Sequence, residues 1–353
     1  MKIGIPREVK VLEGRIALVP DAVSELTVHG HSVYVETNAG ILSGYSDGEY
    51  QKAGAQIMEN AAKLYEIAEM IVKVKEPQPG EWPLLRADHL LFSFLHLAAE
   101  PELTENLVKI GLTAVAFETI NEQNSLPILA PMSDIAGRIA VQVGAHLLHQ
   151  PQQGKGVLLG GLPGTERGNV IVLGAGVAGS NAVRMAAGMG ANVTVFDRKR
   201  EKLQTMRQIG ANVSALHAYS SAIAEAVKQA DLLIGAVLIP GARAPHLVTS
   251  AMVQEMKPGS VIIDISVDQG GCIETTKPTT YKNPTFLKHG VVHFGVTNMP
   301  GAVPRTATQA LSAALVPYIL RLSQPDWKNE PYLNAGINVM GGKKVLSTLL
   351  DSA

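Results

Sequence analysis

The chain has 353 residues, room for two domains at roughly 100–200 residues each, and 46% hydrophobic against 17% charged residues excludes a disordered polymer. A net charge of −1, from 30 basic and 31 acidic residues, gives no reason to expect a nucleic acid or an anionic membrane as partner. One cysteine, Cys272, excludes an intramolecular disulfide and points to a reducing compartment.

The N-terminus carries charge at Lys2, Arg7 and Glu8, where a signal peptide needs its apolar stretch. The longest apolar runs, such as Leu90–Ala99 interrupted by His96, fall short of the roughly 20 residues of a membrane span. The cytoplasm is the expected location. Short apolar runs alternate with helical patterns, which predicts an α/β protein with parallel sheets. Strands are expected at Lys2–Ile5, Ser32–Glu36, Met70–Val74, His89–Phe94 and Thr113–Phe117, with helices such as Asp21–His29 and Glu102–Ile110 between them. A long helix is expected over Asp134–His149, with Ser133 as its N-cap. A glycine-rich loop, residues 154–168, follows. Further strands are expected at Asn169–Leu173, Asn192–Phe196, Asp231–Ala236, Val261–Ile265 and Val291–Val296. A final helix, Arg305–Leu322, should kink at Pro317.

The segment from Asn169 to Gly179 reads strand, then Gly174-Ala175-Gly176-Val177-Ala178-Gly179, then a helical pattern Ser180–Met189, a second strand and Asp197. That is a complete strand–turn–helix–strand–acid unit for a dinucleotide. Gly174 permits the tight turn, Gly176 lets a pyrophosphate approach the backbone, and Gly179 lets helix and strand pack closely. The helix N-terminus offers N–H groups to phosphate. Asp197 can accept bonds from ribose hydroxyls, which favours NAD over NADP. Arg198, Lys199 and Arg200 stand beside it and are read as a solvated helix start.

Other segments resemble one known family. MKIGIPREVKVLEGRIALVP (Met1–Pro20), IVKVKEP (Ile71–Pro77), FLHLA (Phe94–Ala98), APMSDIAGR (Ala130–Arg138), GGLPG (Gly160–Gly164), IGAVLIPGARAP (Ile234–Pro245), MKPGSVIIDISVDQGG (Met256–Gly271) and TNMPGAVPRTAT (Thr297–Thr308) are similar to the alanine dehydrogenases and to the NAD-binding subunit of proton-pumping transhydrogenase. The resemblance implies that Arg15 and Lys75 hold the substrate's carboxylate and oxo groups. It implies that His96 is the general acid/base and that Asp268 assists the water or amine step. Such chemistry needs cations for a carboxylate, a proton acceptor and a hydride acceptor.

Taken singly, each of the four also has an ordinary structural reading: a surface arginine after Gly14, a lysine paired with Glu76, a core histidine, and an acid capping the Gly270-Gly271 turn. Further cofactor contacts implied by the resemblance are Ser133, Val177, Ala178, Lys202, Ser220, Val237, Leu238, Ile265, Ser266, Val267, Asp268, Lys277, Val296, Thr297, Asn298 and Met299. Cys272 is read as an inert buried thiol.

No metal-ligand spacing and no GxSxG motif appears. The expected fold is two Rossmann-like α/β domains with a cleft between them. Residues 1–132 plus 301–353 would form the substrate domain and 133–300 the inserted NAD-binding domain, with hinges near Asp134 and Asn298–Arg305. The resemblance implies NAD as cofactor, L-alanine, pyruvate and ammonia as substrates, and a homohexamer. The alternatives are a transhydrogenase component, a nonenzymatic NAD-binding module and a lysine-pathway dehydrogenase.

Overall fold

The computed structural model describes residues 1–123, 125–237 and 244–346. The chain divides into two compact units, Met1–Met132 with Gly301–Ala353, and Ser133–Pro300. In the first unit six strands run parallel: β1 (Lys2–Ile5), β2 (Ser32–Glu36), β3 (Gln56–Met58), β4 (Met70–Val72), β5 (Leu90–Ser93) and β6 (Thr113–Ala116). Their order across the sheet is β3-β2-β1-β4-β5-β6. The order reverses between β1 and β4, where a doubly wound sheet opens its crevice at the carboxyl ends of the strands. Close packing is built into β1. A Cβ on Gly4 would stand 2.7 Å from Leu64 and 2.8 Å from Ala68, so the helix Ala61–Ile67 lies directly on that strand.

The second unit repeats the plan with β7 (Asn169–Leu173), β8 (Asn192–Asp197), β9 (Val213–His217), β10 (Leu232–Gly235), β11 (Val261–Asp264), β12 (Thr285–Lys288) and β13 (Val291–Phe294). Its order is β9-β8-β7-β10-β11-β13-β12, all parallel except β12 against β13. The reversal falls between β7 and β10. β7, β10, β11 and β13 are buried along nearly their whole length, as expected of strands covered on both faces.

The chain then returns to the first sheet. The helix Pro304–Leu322 runs through Pro317 without a break. Beyond it, β14 (Ile337–Met340) pairs antiparallel with β6 and turns through Gly341 and Gly342 into β15 (Lys343–Lys344). Both glycines have positive φ, 55° and 75°, as a two-residue hairpin turn of this kind requires.

Two helix starts differ from expectation by three residues or more. The long helix begins at Ala130 and ends at Leu147, so Ser133 lies inside it and is not its N-cap. Pro131 fits a first helical turn, because it lacks only an N–H that would have no intrahelical partner there. The helix after the glycine-rich turn starts at Val177, three residues earlier than its apolar pattern suggests.

Candidate active site and dinucleotide turn

In the first unit the residues after β1 form a long loop held from several sides. Ile16 N donates to Thr308 Oγ1 and Val19 N to Ser312 Oγ, each at 3.1 Å, and Ser43 Oγ donates to the Gly14 carbonyl at 2.8 Å. This bracing places Arg15. Its side chain is 3% exposed and forms a buried ion pair with Glu13: Nε to Oε1 at 2.7 Å and Nη2 to Oε2 at 2.5 Å. The Glu13 carboxylate also accepts from Arg15 N at 3.0 Å, while Nη1 lies 3.2 Å from Met132 Sδ. Arg15 is therefore no surface arginine, and the two-pronged Nε/Nη2 edge is engaged by Glu13.

Lys75 follows β4. It is half-buried, and burial lowers its pKa from the usual lysine value, with the Arg15 charge next in importance. The two cations thus share one electrostatic neighbourhood. The pairing of Lys75 with Glu76 is not the main ionic contact of that glutamate, which bonds the Lys10 ammonium. Glu8, Glu13, Arg15 and Arg7 line a cavity of about 500 Å³ with Asn38, Ile41 and Leu42.

His96 follows β5, with φ at +50° in the left-handed region. Such backbone is uncommon for a residue with a side chain and persists only where the surroundings impose it. Here Glu118, just beyond β6, imposes it. Its carboxylate accepts from His96 N at 2.6 Å and Leu95 N at 3.1 Å, and Oε1 lies 3.9 Å from His96 Nδ1. The imidazole stacks on Phe94 with ring centroids 5.9 Å apart and planes 6° apart. It is partly exposed, unlike a core histidine.

In the second unit the turn after β7 has the geometry of a phosphate cradle. Gly174 sits at φ +94°, and a Cβ there would stand 2.5 Å from the Ala236 carbonyl oxygen. A Cβ on Gly179 would stand 1.8 Å from the Gly174 carbonyl oxygen, so nothing larger than glycine fits. Around Gly176, the N-cap of the helix Val177–Gly188, a Cβ would meet nothing within 4 Å. The first helical turn carries no acidic residue. The first N–H groups of this helix have no intrahelical partner and can face an anion beside Gly176.

Asp197 ends β8 and ties this turn to its neighbour. Its Oδ2 accepts from Ala175 N at 2.8 Å and its Oδ1 from Lys199 N at 2.9 Å. A carboxylate has about four lone-pair sites, so ribose hydroxyls can still be accepted. Arg198, Lys199 and Arg200 are exposed at the start of the helix Arg200–Arg207.

Asp268 lies in the single turn Val267–Gln269 after β11 and is exposed. Ile265, Ser266 and Val267 lead into it. Among the other expected cofactor contacts, Val237 lies two residues past β10, while Leu238 lies outside the described residues. Lys202 is on the helix Arg200–Arg207, and Ser220 opens the helix Ser220–Gln229. The Lys277 ammonium sits 4.7 Å from the Phe286 ring centroid. Val296, Thr297 and Asn298 follow β13, and the Met299 carbonyl accepts from Tyr281 Oη at 2.8 Å. Ser133 is half-buried in its helix.

Two domain descriptions match the chain: "Alanine dehydrogenase/PNT, N-terminal domain" over residues 4–136 and "Alanine dehydrogenase/PNT, C-terminal domain" over residues 140–347. The chain is 49% identical over 348 residues to an alanine dehydrogenase of Bacillus subtilis (strain 168), covering 97% of this chain and 92% of that protein. The chain belongs to the alanine dehydrogenase/PNT family.

A solved L-alanine dehydrogenase superimposes over 100% of both chains, with a TM-score of 0.95 and 49% identity. The transhydrogenase structure from Sinorhizobium meliloti superimposes over 98% of this chain and 99% of its own, with a TM-score of 0.85 and 27% identity.

Three acids of this alanine dehydrogenase/PNT member escaped the sequence reading. Glu13 holds Arg15, Glu118 holds His96, and Asp264 closes the loop that carries Asp268. Asp264 is fully buried at the end of β11. It accepts from the backbone N–H of Ser266 at 3.0 Å, Cys272 at 2.9 Å and Ile273 at 3.2 Å. Burial pushes its pKa up to about 6 against the pull of those three bonds. Cys272 is buried beside it, and burial raises the thiol well above its usual value. The signal for two of them was present: Glu118 and Asp264 each stand at or just past the end of an apolar strand, as Asp197 does.

Proposed function

We propose that the chain catalyses the reversible NAD-dependent oxidative deamination of L-alanine: L-alanine, NAD⁺ and water give pyruvate, ammonium, NADH and a proton. The observation that carries this reading is the full-length likeness to alanine dehydrogenases, 49% identity with a TM-score of 0.95.

On this reading the turn of Gly174, Gly176 and Gly179 holds the pyrophosphate and Asp197 the adenosine ribose, with Ser133, Val177, Ala178, Lys202, Ser220, Val237, Leu238, Ile265–Asp268, Lys277 and residues 296–299 as further contacts. The chemistry a bound dinucleotide supplies there is uptake of hydride from the substrate Cα. Arg15 faces the substrate carboxylate and Lys75 the oxo oxygen. Burial lowers the pKa of Lys75, so its ammonium donates a hydrogen bond to the oxo oxygen and gives up a proton more readily than that of an exposed lysine. His96 takes the proton from the substrate ammonium, its ring held by Phe94 and its backbone by Glu118. Asp268 assists addition of water to the imine. The substrate residues belong to one unit and the dinucleotide residues, with Asp268, to the other, so 1–132 with 301–353 is the substrate domain and 133–300 the dinucleotide domain.

A transhydrogenase component is the second reading, favoured by the 27% match to that structure. Among the described residues no helix is long and apolar enough to cross a membrane. We further propose a cytoplasmic homohexamer. The deciding assay measures NADH production from each of twenty amino acids with no partner protein. L-alanine should be the strongest substrate. Hydride exchange between nucleotides without turnover of any amino acid would establish the transhydrogenase reading instead. Light scattering on the same sample should give six chain masses.

A further inference from the structure

Beneath Lys75 lies an ionic cluster to which none of these roles has been given. Lys73 is 1% exposed, and its ammonium has three acceptors: Glu8 Oε2 at 3.2 Å, Glu81 Oε2 at 3.3 Å and the Lys75 carbonyl at 3.1 Å. Three acceptors match the three N–H groups of an ammonium. Burial alone would neutralise Lys73, but Glu8 and Glu81 outweigh it and raise its pKa. Glu8 in turn accepts from the backbone N–H of Val74 at 2.5 Å and of Lys75 at 3.3 Å. Glu81 turns the other way, toward Tyr65 Oη at 2.9 Å and Gln78 N at 2.8 Å.

β4 has ended at Val72, yet the next peptides are not left to solvent. The N–H of Val74, the N–H of Lys75 and the C=O of Lys75 are all bound by buried ions rather than by sheet partners. Buried ion clusters are weak devices for stability, since apolar replacements of similar volume often do as well. What an ion cluster supplies better is a defined geometry. We propose that Glu8 and Lys73 are positioning residues that clamp the backbone of Lys75 and so hold its amine in place for the substrate oxo group. This rests on the substrate role given to Lys75 above. Two features of the cluster agree with it. Two of the three backbone bonds fall on Lys75 and the third on the adjoining Val74 N–H, and Lys75 is half-buried although its side chain is a lysine.

Glu8→Asp tests the clamp. The charge is kept, but the side chain is one carbon too short to bond both amides and Lys73 together. The full-length protein is acetylated with trace acetic anhydride across a pH series, and Lys75 labelling is read by mass spectrometry. In the wild type Lys75 should titrate below the ordinary lysine value of about 10.4. In Glu8→Asp it should label faster and titrate closer to that value. kcat/KM for pyruvate should fall about ten- to hundredfold, as expected when a substrate group is misplaced by an ångström or less, with NADH affinity unchanged.

Tyr65→Phe is the control: it removes one bond to Glu81 Oε1 but leaves Lys73 and both amides their acceptors, so it should lower the thermal midpoint while leaving Lys75 labelling and kinetics as in the wild type. If Glu8→Asp does not fold, Glu8→Gln takes its place, with one amide bond retained. A folded Glu8 variant with wild-type labelling of Lys75, or a Tyr65→Phe protein with the same kinetic loss, overturns the clamp. Full activity in Lys75→Ala would instead remove the substrate role of Lys75, and the labelling would still decide whether Glu8 positions it.

Discussion

The two units share one central strand order, β3-β2-β1-β4-β5 in the first and β9-β8-β7-β10-β11 in the second, and put different residues behind its first strand. In the second, β7 is followed at once by Gly174-Ala175-Gly176 and a helix, so its crevice is lined by backbone N–H groups and open space. In the first, β1 is followed by fourteen residues of loop before the next helix at Pro20. There the crevice is lined by charged side chains, with Arg15 and Glu13 paired inside it. Topology places a crevice, and the residues behind its first strand decide what it takes. A short glycine turn suits a diffuse phosphate charge bound by dipoles. A long loop with buried ions suits a small substrate with a localised charge.

The sharpest break in the comparison comes from the chemistry of the first unit. His96→Ala should reduce kcat by about 10²–10⁴-fold while NADH binding, followed by fluorescence, stays at the wild-type level. Normal turnover would return His96 to a packing role.

Next in size is a pair of glycine substitutions in the second unit. Gly179→Ala would force a methyl group to within 1.8 Å of the Gly174 carbonyl oxygen, so both the thermal midpoint and NADH affinity should drop. Gly176→Ala meets no protein atom within 4 Å. It should leave the midpoint unchanged and still weaken NADH roughly tenfold or more by filling the phosphate space. Equal effects of the two on folding would remove the cradle argument.

Arg15→Lys sharpens the picture of the first crevice. A lysine cannot reproduce the fork held by Glu13. Breaking a buried pair outright costs about 3–5 kcal/mol, and a lysine retains part of it. The expected outcome is a raised KM for pyruvate together with a lowered thermal midpoint. A raised KM with an unchanged midpoint would show that Glu13 contributes nothing to the placing of Arg15.

Asp197→Ala should narrow the preference for NAD over NADP, measured as the ratio of kcat/KM values. NAD loses its ribose bonds, and NADP loses a repelling charge beside three exposed cations. An enzyme that already uses both cofactors equally would sink the reading of Asp197.

The smallest effect expected is on pH-dependent stability at Asp264. Its folded pKa, about 6, lies above its ordinary value of 3.8, so the native state holds the proton more tightly than the unfolded chain. Its contribution is complete below about pH 4 and is lost as pH rises through about 6. The midpoint deficit of Asp264→Asn should therefore be greatest near pH 4 and shrink toward pH 7, by a few degrees. A constant deficit across that range would mean that Asp264 is ionised in the native state throughout.

Local pattern determined much of this protein. Buried parallel strands read as unbroken apolar runs because both faces are covered, so β1, β2, β7 and the cores of β4, β5, β10 and β11 were legible from composition alone. The dinucleotide turn was legible because its chemistry is backbone chemistry, written in glycine spacing. Tertiary structure decided the rest. Edge strands such as β9 and β12 bury few residues and carry no apolar run, and β14 pairs with β6 across some two hundred residues. The start of the long helix at Ala130 was set by backbone bonding rather than by the capping preference of Ser133. Most of all, the acids that hold Lys75 and His96 act through distances that spacing does not encode. Glu118 reaches His96 from the next strand, and Glu8 reaches Lys75 from a loop 67 residues away in sequence. A carboxylate's role is set by which N–H groups the fold brings within about 3 Å of it, and only the folded chain supplies them.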